Sequence, residues 1–142
     1  MGLFGNLFGS KPEAPPLDAA SAAAQRIDRH RARLEPLVAK IKDRVELVPG
    51  DEAVFAFVGK PPGTFGIAWV DAAEEHNLKT LIQAHALPAP AVTRLTEALR
   101  SSYEAHMQEQ RFATTVGGQR VTVTDSPAFA AELRELIQRA AA

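Results

Sequence analysis

The chain contains no cysteine, one tryptophan, one tyrosine and two methionines among its 142 residues. Without cysteine there is no disulfide, no thiolate zinc site and no cysteine nucleophile. No apolar run comes near the roughly 20 residues that a membrane-crossing helix needs. The N-terminus also lacks the basic flank and the apolar stretch of about 7–15 residues that mark a secretion signal. These absences lead to the expectation of a cytoplasmic protein, with attachment to the periphery of a membrane as a further option. Hydrophobic residues make up 46% and charged residues 23%, an ordinary globular balance, and the length suits one domain with a real core.

What is present is unevenly placed. In Met1–Gly9, Leu3, Phe4, Leu7 and Phe8 fall at i, i+1, i+4 and i+5, which puts all four on one side of a helical turn. Ser10–Pro16 follows, and its three prolines favour an extended spacer. Residues 1–16 are therefore read as an apolar tip plus a proline-rich linker, and 17–142 as a single α+β domain. Gly2, Gly5 and Gly9 lower helix propensity, so a bound surface would have to supply the order. Asn6 stands where a myristoylation signal requires Ser or Thr. Burying two Leu and two Phe gains about 1.5–3 kcal/mol each. Ordering the tip costs about 1–2 kcal/mol per residue. Docking by the tip alone is expected to be weak and reversible unless cations or several copies assist it.

Net charge is −1, yet Arg26–Arg44 carries +4 and the remainder −5. Arg26, Arg29, His30, Arg33, Lys40 and Arg44 recur at 3-, 4- and 7-residue steps, forming one helix face. Such a face can meet anionic lipid, an acidic partner or nucleic acid. A pI near 6.4 and the lack of interleaved aromatics count against nucleic acid.

Leu17–Val48 reads as helix, with a heptad seam of Ala20, Ala24, Ile27, Arg31, Leu34, Val38, Ile41, Val45 and Val48. Pro36 removes a helical hydrogen bond, predicting a kink or break near Glu35. Ala53–Val58 and Thr64–Val70 read as strands joined by a turn at Gly59–Gly63. In the second of them Phe65, Ile67 and Trp69 share one face, and Gly66, Ala68 and Val70 the other. Asp71-Ala-Ala-Glu74 has capping-box spacing and predicts a helix to about Ala86, with Leu78, Leu81, Ile82 and His85 inward. A helix from Ala91 to Gln110 turns Val92, Leu95, Leu99, Tyr103 and His106 or Met107 to the core. Phe112, Thr114 and Val116 alternate up to Gly117-Gly118, Val121 and Val123 alternate back, and Asp125-Ser-Pro127 opens a last helix. That helix carries Phe129, Leu133, Leu136, Ile137 and Ala140 on one side. The expected fold is α+β, in the order α-ββ-α-α-ββ-α. About four antiparallel strands, in two hairpins, would carry helices mainly on one face. Leu78–Gln83 and Leu133–Gln138 match closely, so a ββα pseudo-repeat is one reading and chance similarity between helix formers the other.

Catalytic signals are sparse. The four histidines are His30, His76, His85 and His106, and none sits in a metal-binding pattern such as HExxH. His85 reads as a core histidine. Ser101-Ser102 and Thr114-Thr115 lack an elbow's glycines. The loop Gly59-Lys-Pro-Pro-Gly-Thr64 is a poor phosphate loop, because two prolines remove backbone N–H donors. No catalytic residue, metal ligand set or cofactor is expected. The leading expectation is a non-enzymatic binding or adaptor module, self-associating as a dimer. It would dock to a partner protein or membrane surface through Leu3, Phe4, Leu7 and Phe8, helped by Arg26, Arg29 and Arg33. One alternative is a small-ligand sensor or enzyme with a pocket near Phe65, Trp69, His76, Tyr103 and His106. The other is weak nucleic-acid binding through the arginine-rich helix.

Overall fold

A computed structural model describes residues 14–142. Leu3, Phe4, Leu7 and Phe8 lie outside the described residues. The long N-terminal helix divides into α1 (Ala22–Arg29) and α2 (Arg31–Ala39), and is followed by a strand, β1 (Val45–Pro49). The break falls at His30 instead of near Glu35. His30 donates its N–H to the Ile27 carbonyl, and its own carbonyl accepts from Arg33 and Leu34 at 3.1 and 2.9 Å. Pro36 sits inside α2. Pro36 and Ala32, whose carbonyl it cannot serve, are both exposed, so water can replace the lost bond. Ser21 caps α1, accepting from the Ala24 N–H at 3.1 Å.

Beyond β1 come β2 (Ala53–Gly59), β3 (Phe65–Asp71) and β4 (Glu75–Asn77). Next are α3 (Leu78–His85), α4 (Ala89–Ala105), β5 (Arg111–Val116), β6 (Gln119–Thr124) and α5 (Pro127–Ala141). The two expected hairpins are present, β2 with β3 and β5 with β6. The expected sheet of about four antiparallel strands is instead one mixed sheet of six, in the order β4-β3-β2-β1-β6-β5. The difference lies in β1, which pairs antiparallel with β2 and parallel with β6, and so joins the hairpins.

Helices cover both faces of the sheet, which corrects the expected one-sided arrangement. Ala53 to Phe57 are all buried, and a strand apolar on both faces needs cover on both. On one face α1 and α2 place Ile27, Leu34 and Val38 over Leu47, Val54, Ala56, Ala68 and Val70. Small side chains at Ala56 and Ala68 leave room for helix backbone. On the other, α3, α4 and α5 bring Leu81, Leu95, Leu99, Tyr103, Phe129 and Leu133 onto Phe55, Phe57, Ile67 and Trp69. The large face of β3 is thus the thicker core layer.

Asp71 does not open a helix. Its Oδ1 accepts from the N–H groups of Ala73 and Glu74, at 2.8 and 2.9 Å, making a turn into β4. The capping box lies at Asn77 and Thr80, which bond each other reciprocally. His85 is exposed and not in the core, whereas His30 is buried, 8% exposed, with Nε2 unpartnered among the described residues.

Candidate functional site

Two clefts lie at opposite ends of the sheet. The first, of about 730 Å³, opens where β1 begins and β2 ends. Register brings its walls together: Val45 pairs with Val58, and Gly59 donates to the Arg44 carbonyl at 2.9 Å. Arg44 and Lys60 therefore lie side by side on its wall, and Arg111 on β5 and Arg120 on β6 line it as well, near opposite ends of their hairpin, opposite Thr124 and Thr115. Among the described residues, Glu46 is the acid lining this cleft. It is already saturated by Tyr103 Oη at 2.8 Å, Thr124 Oγ1 at 2.6 Å and Arg111 Nε at 3.3 Å. The side chains of Arg44 and Lys60 have no partner among the described residues, unlike Arg26, Arg31, Lys40 and Arg134, which are ion-paired.

Burial, reinforced by the hydrogen bond to Glu46 and its charge, pushes the Tyr103 hydroxyl up to about 12 against the opposing Arg111. Tyr103 is the chain's one tyrosine, so absorbance at 295 nm reports it without ambiguity. The phenolate is expected to form about two pH units above an ordinary tyrosine's value of about 10. Because the folded state holds the proton more tightly, its stabilising effect is complete below pH 10 and is lost as pH rises through about 12. Glu46→Gln removes the facing charge and should bring the titration midpoint down.

The proline-rich segment ends at this cleft. Ala113 of β5 donates to the Pro15 carbonyl at 2.8 Å and accepts from the Leu17 N–H at 2.9 Å. Pro16 thus forms a parallel bridge with Ala113 at the edge of the sheet, a strap that leaves Ala14 on the cleft wall. Met107, 44% exposed and the one exposed large hydrophobic side chain among the described residues, lines the same cleft.

The second cleft, about 810 Å³, lies where β2 begins and β3 ends, lined by Arg29, His30, Arg33, Trp69, His76 and His85 among others. His76 stacks on Trp69 with centroids 5.4 Å apart and Nε2 2.8 Å from Asp71 Oδ2. Burial works to raise the Asp71 carboxyl, but the Glu74 and Ala73 amides and His76 outweigh it, and the net direction is downward. Several charges here are paired: Arg26 and Arg29 with Asp51, at 2.8 and 3.7 Å, and Arg134 with Glu52.

A third polar group ties α4 to α5. Glu132 accepts from Ser102 Oγ at 2.9 Å and lies 2.9 Å from His106 Nε2. His106 stacks on Phe129 at 4.7 Å. The His106 hydrogen bond, aided by Ser102 and opposed by partial burial, holds Glu132 below the usual carboxylate range. The carboxylate stands between serine and histidine, so the imidazole cannot serve as base toward that hydroxyl. This is a latch between helices.

The predicted pocket residues are therefore dispersed. Trp69 and His76 share the second cleft and Tyr103 lines the first; Phe65 and His106 line neither. Phe65 packs on Phe57 at 5.5 Å, beneath the Arg100 guanidinium. The arginine face is dispersed too. Arg29 and Arg33 line the second cleft, Arg26 is tied to Asp51, and Arg44 belongs to the first. The convergence of Arg44, Lys60, Arg111 and Arg120 went unread in the sequence, because it depends on strand pairing across 76 positions. The available signal was a cation at the start of one strand and another just past the end of its hairpin partner. Among the described residues, no three His, Asp or Glu are grouped so as to hold a metal ion, and no helix is long and apolar enough to cross a membrane. No family model matches the chain, and neither a curated protein nor a solved structure is significantly similar to it.

Proposed function

We propose that the chain is a non-enzymatic docking module that attaches to an anionic membrane surface. In this reading Leu3, Phe4, Leu7 and Phe8 enter the apolar layer while Arg44, Lys60 and Arg111 meet the headgroups. One observation carries it. The strap at Ala113 fixes residue 14 on the wall of the cationic cleft, so the apolar segment leaves the body beside four cations and the exposed Met107. Tip burial alone nearly cancels against its ordering cost. Each nearby cation adds about 1 kcal/mol at an anionic surface, enough to turn a marginal contact into a reversible attachment. Arg26, Arg29 and Arg33, expected from the sequence to assist the tip, lie at the far end of the sheet or in ion pairs.

The test is co-sedimentation of the full chain with phosphatidylserine-containing vesicles. Phe4→Asp/Phe8→Asp is expected to weaken binding at least about tenfold. Unchanged sedimentation overturns the reading. Failure of the native chain to sediment also overturns it, and returns the tip to a partner protein.

A further inference from the structure

We propose that the cleft lined by Arg44, Lys60 and Arg111 is a binding site for a phosphate group carrying two or more negative charges. The proposal rests on reading this cleft as the working surface, and it names the chemistry the surface recognises. Four cations line about 730 Å³, and the one lining carboxylate among the described residues is fully engaged. Glu46 accepts from a phenol, a threonine and a guanidinium, so it positions Arg111 without neutralising Arg44 or Lys60. Arg111 is held further by the Met107 carbonyl at 2.6 Å, and its Nη2 has no partner among the described residues. A guanidinium fixed through two nitrogens and open at the third is prepared for an oxyanion.

Lys60 is prepared in a different way. Its N–H donates to the Thr64 carbonyl at 3.0 Å, and Gly63 donates back to its carbonyl at 2.8 Å. Arg100 of α4 clamps the same loop from below, donating Nε to the Pro62 carbonyl at 2.7 Å. Its guanidinium lies 5.5 Å from the Phe65 ring centre. The loop that was a poor phosphate cradle by its backbone is thus a rigid mount for one ammonium, and ordering it costs little on binding. The prolines that remove N–H donors supply that rigidity.

The ligand class follows from charge and shape. Several cations around one cleft favour an anion of more than one charge over a single carboxylate, and a doubly charged phosphate presents three acceptor oxygens. Nucleic acid is disfavoured, because Tyr103 is 6% exposed with its hydroxyl committed to Glu46, and offers no platform for stacking bases. The phosphate could be a phosphomonoester lipid headgroup or a soluble phosphorylated molecule.

Calorimetric titration of the full chain with inorganic pyrophosphate tests the site. Saturable binding is expected, weakening steeply with salt. Arg44→Gln/Lys60→Gln should raise Kd at least about tenfold. Both side chains are exposed, and an unchanged melting temperature confirms the fold. Arg134→Gln/Arg139→Gln removes the same charge elsewhere and should leave Kd within about twofold. No saturable binding, or equal losses in both double variants, overturns the proposal. Vesicles with a phosphomonoester lipid, compared with phosphatidylserine at equal charge, separate the sources. A preference abolished by Arg44→Gln/Lys60→Gln supports the headgroup. Pyrophosphate binding without that preference supports a soluble ligand. Phe4→Asp/Phe8→Asp should spare pyrophosphate binding, so failure of the tip and failure of the cleft give different results.

Discussion

Phe57→Ala is expected to lower the unfolding free energy by about 3–5 kcal/mol, the range for removing a large buried aromatic. Phe57 is fully buried in the middle of β2. It contacts Phe65 at 5.5 Å, Tyr103 at 5.2 Å and Phe129 at 5.8 Å between ring centres. These neighbours come from β3, α4 and α5, so no single element can shift to fill the space. Tyr103 and Phe129 also pack on each other, edge to face, at 6.1 Å, and Tyr103 is pinned through Glu46. Collapse around the cavity is therefore restricted, and the loss should fall in the upper half of the range. Urea unfolding with an unchanged m-value measures it. A loss below about 1.5 kcal/mol would show that this layer repacks freely.

The second large effect is expected at a glycine. Gly117, the first turn residue between β5 and β6, has φ +58. A Cβ there would stand 2.5 Å from the Glu35 carbonyl oxygen and 3.1 Å from the Ala39 nitrogen. Gly117→Ala thus meets a left-handed backbone, which costs about 1–2 kcal/mol. It also meets helix backbone that cannot rotate away, adding about 1–3 kcal/mol as overpacking does. Gly118 has φ +79 with nothing within 4 Å of its Cβ position, so Gly118→Ala should show the first cost alone. The difference between the two variants isolates how tightly the hairpin docks under α2. Gln119 should hold that docking in place, since its Nε2 donates to the Val38 and Ile41 carbonyls at 2.9 and 2.6 Å. Equal losses in Gly117→Ala and Gly118→Ala would contradict a rigid docking.

Local chemistry made much of this fold legible. The run Ala53–Val58 and the pair Gly117-Gly118 each admit one element, and the stripe Phe129, Leu133, Ile137 admits one element and one face. Val45–Val48 admits two. Val45 and Val48 satisfy a helical i, i+3 step, and Val45 and Leu47 satisfy strand alternation. The helical alternative leaves out the central strand and with it the parallel pairing to β6. Asp71 was ambiguous for a related reason: a carboxylate accepting N–H groups two and three residues on is the same interaction in a turn as at a helix start. His30 falls on the cationic stripe only if the helix runs unbroken to Glu35, and the break at His30 turns it inward. The cationic cleft was the least legible feature. Its four contributors are unremarkable singly, and become a site only through the order of strands in the sheet.

The strap at Ala113 also fixes where force enters the molecule. A load applied through the N-terminal segment reaches the body at Pro15 and Leu17, and passes first into their two hydrogen bonds with β5. β5 is the last strand in the sheet order, with β1 and β2 lying further in. Tension on an attached chain would accordingly peel a short edge contact before it strained the inner strands. Two bonds at the rim would act as a mechanical fuse, lengthening the tether while the core stays folded.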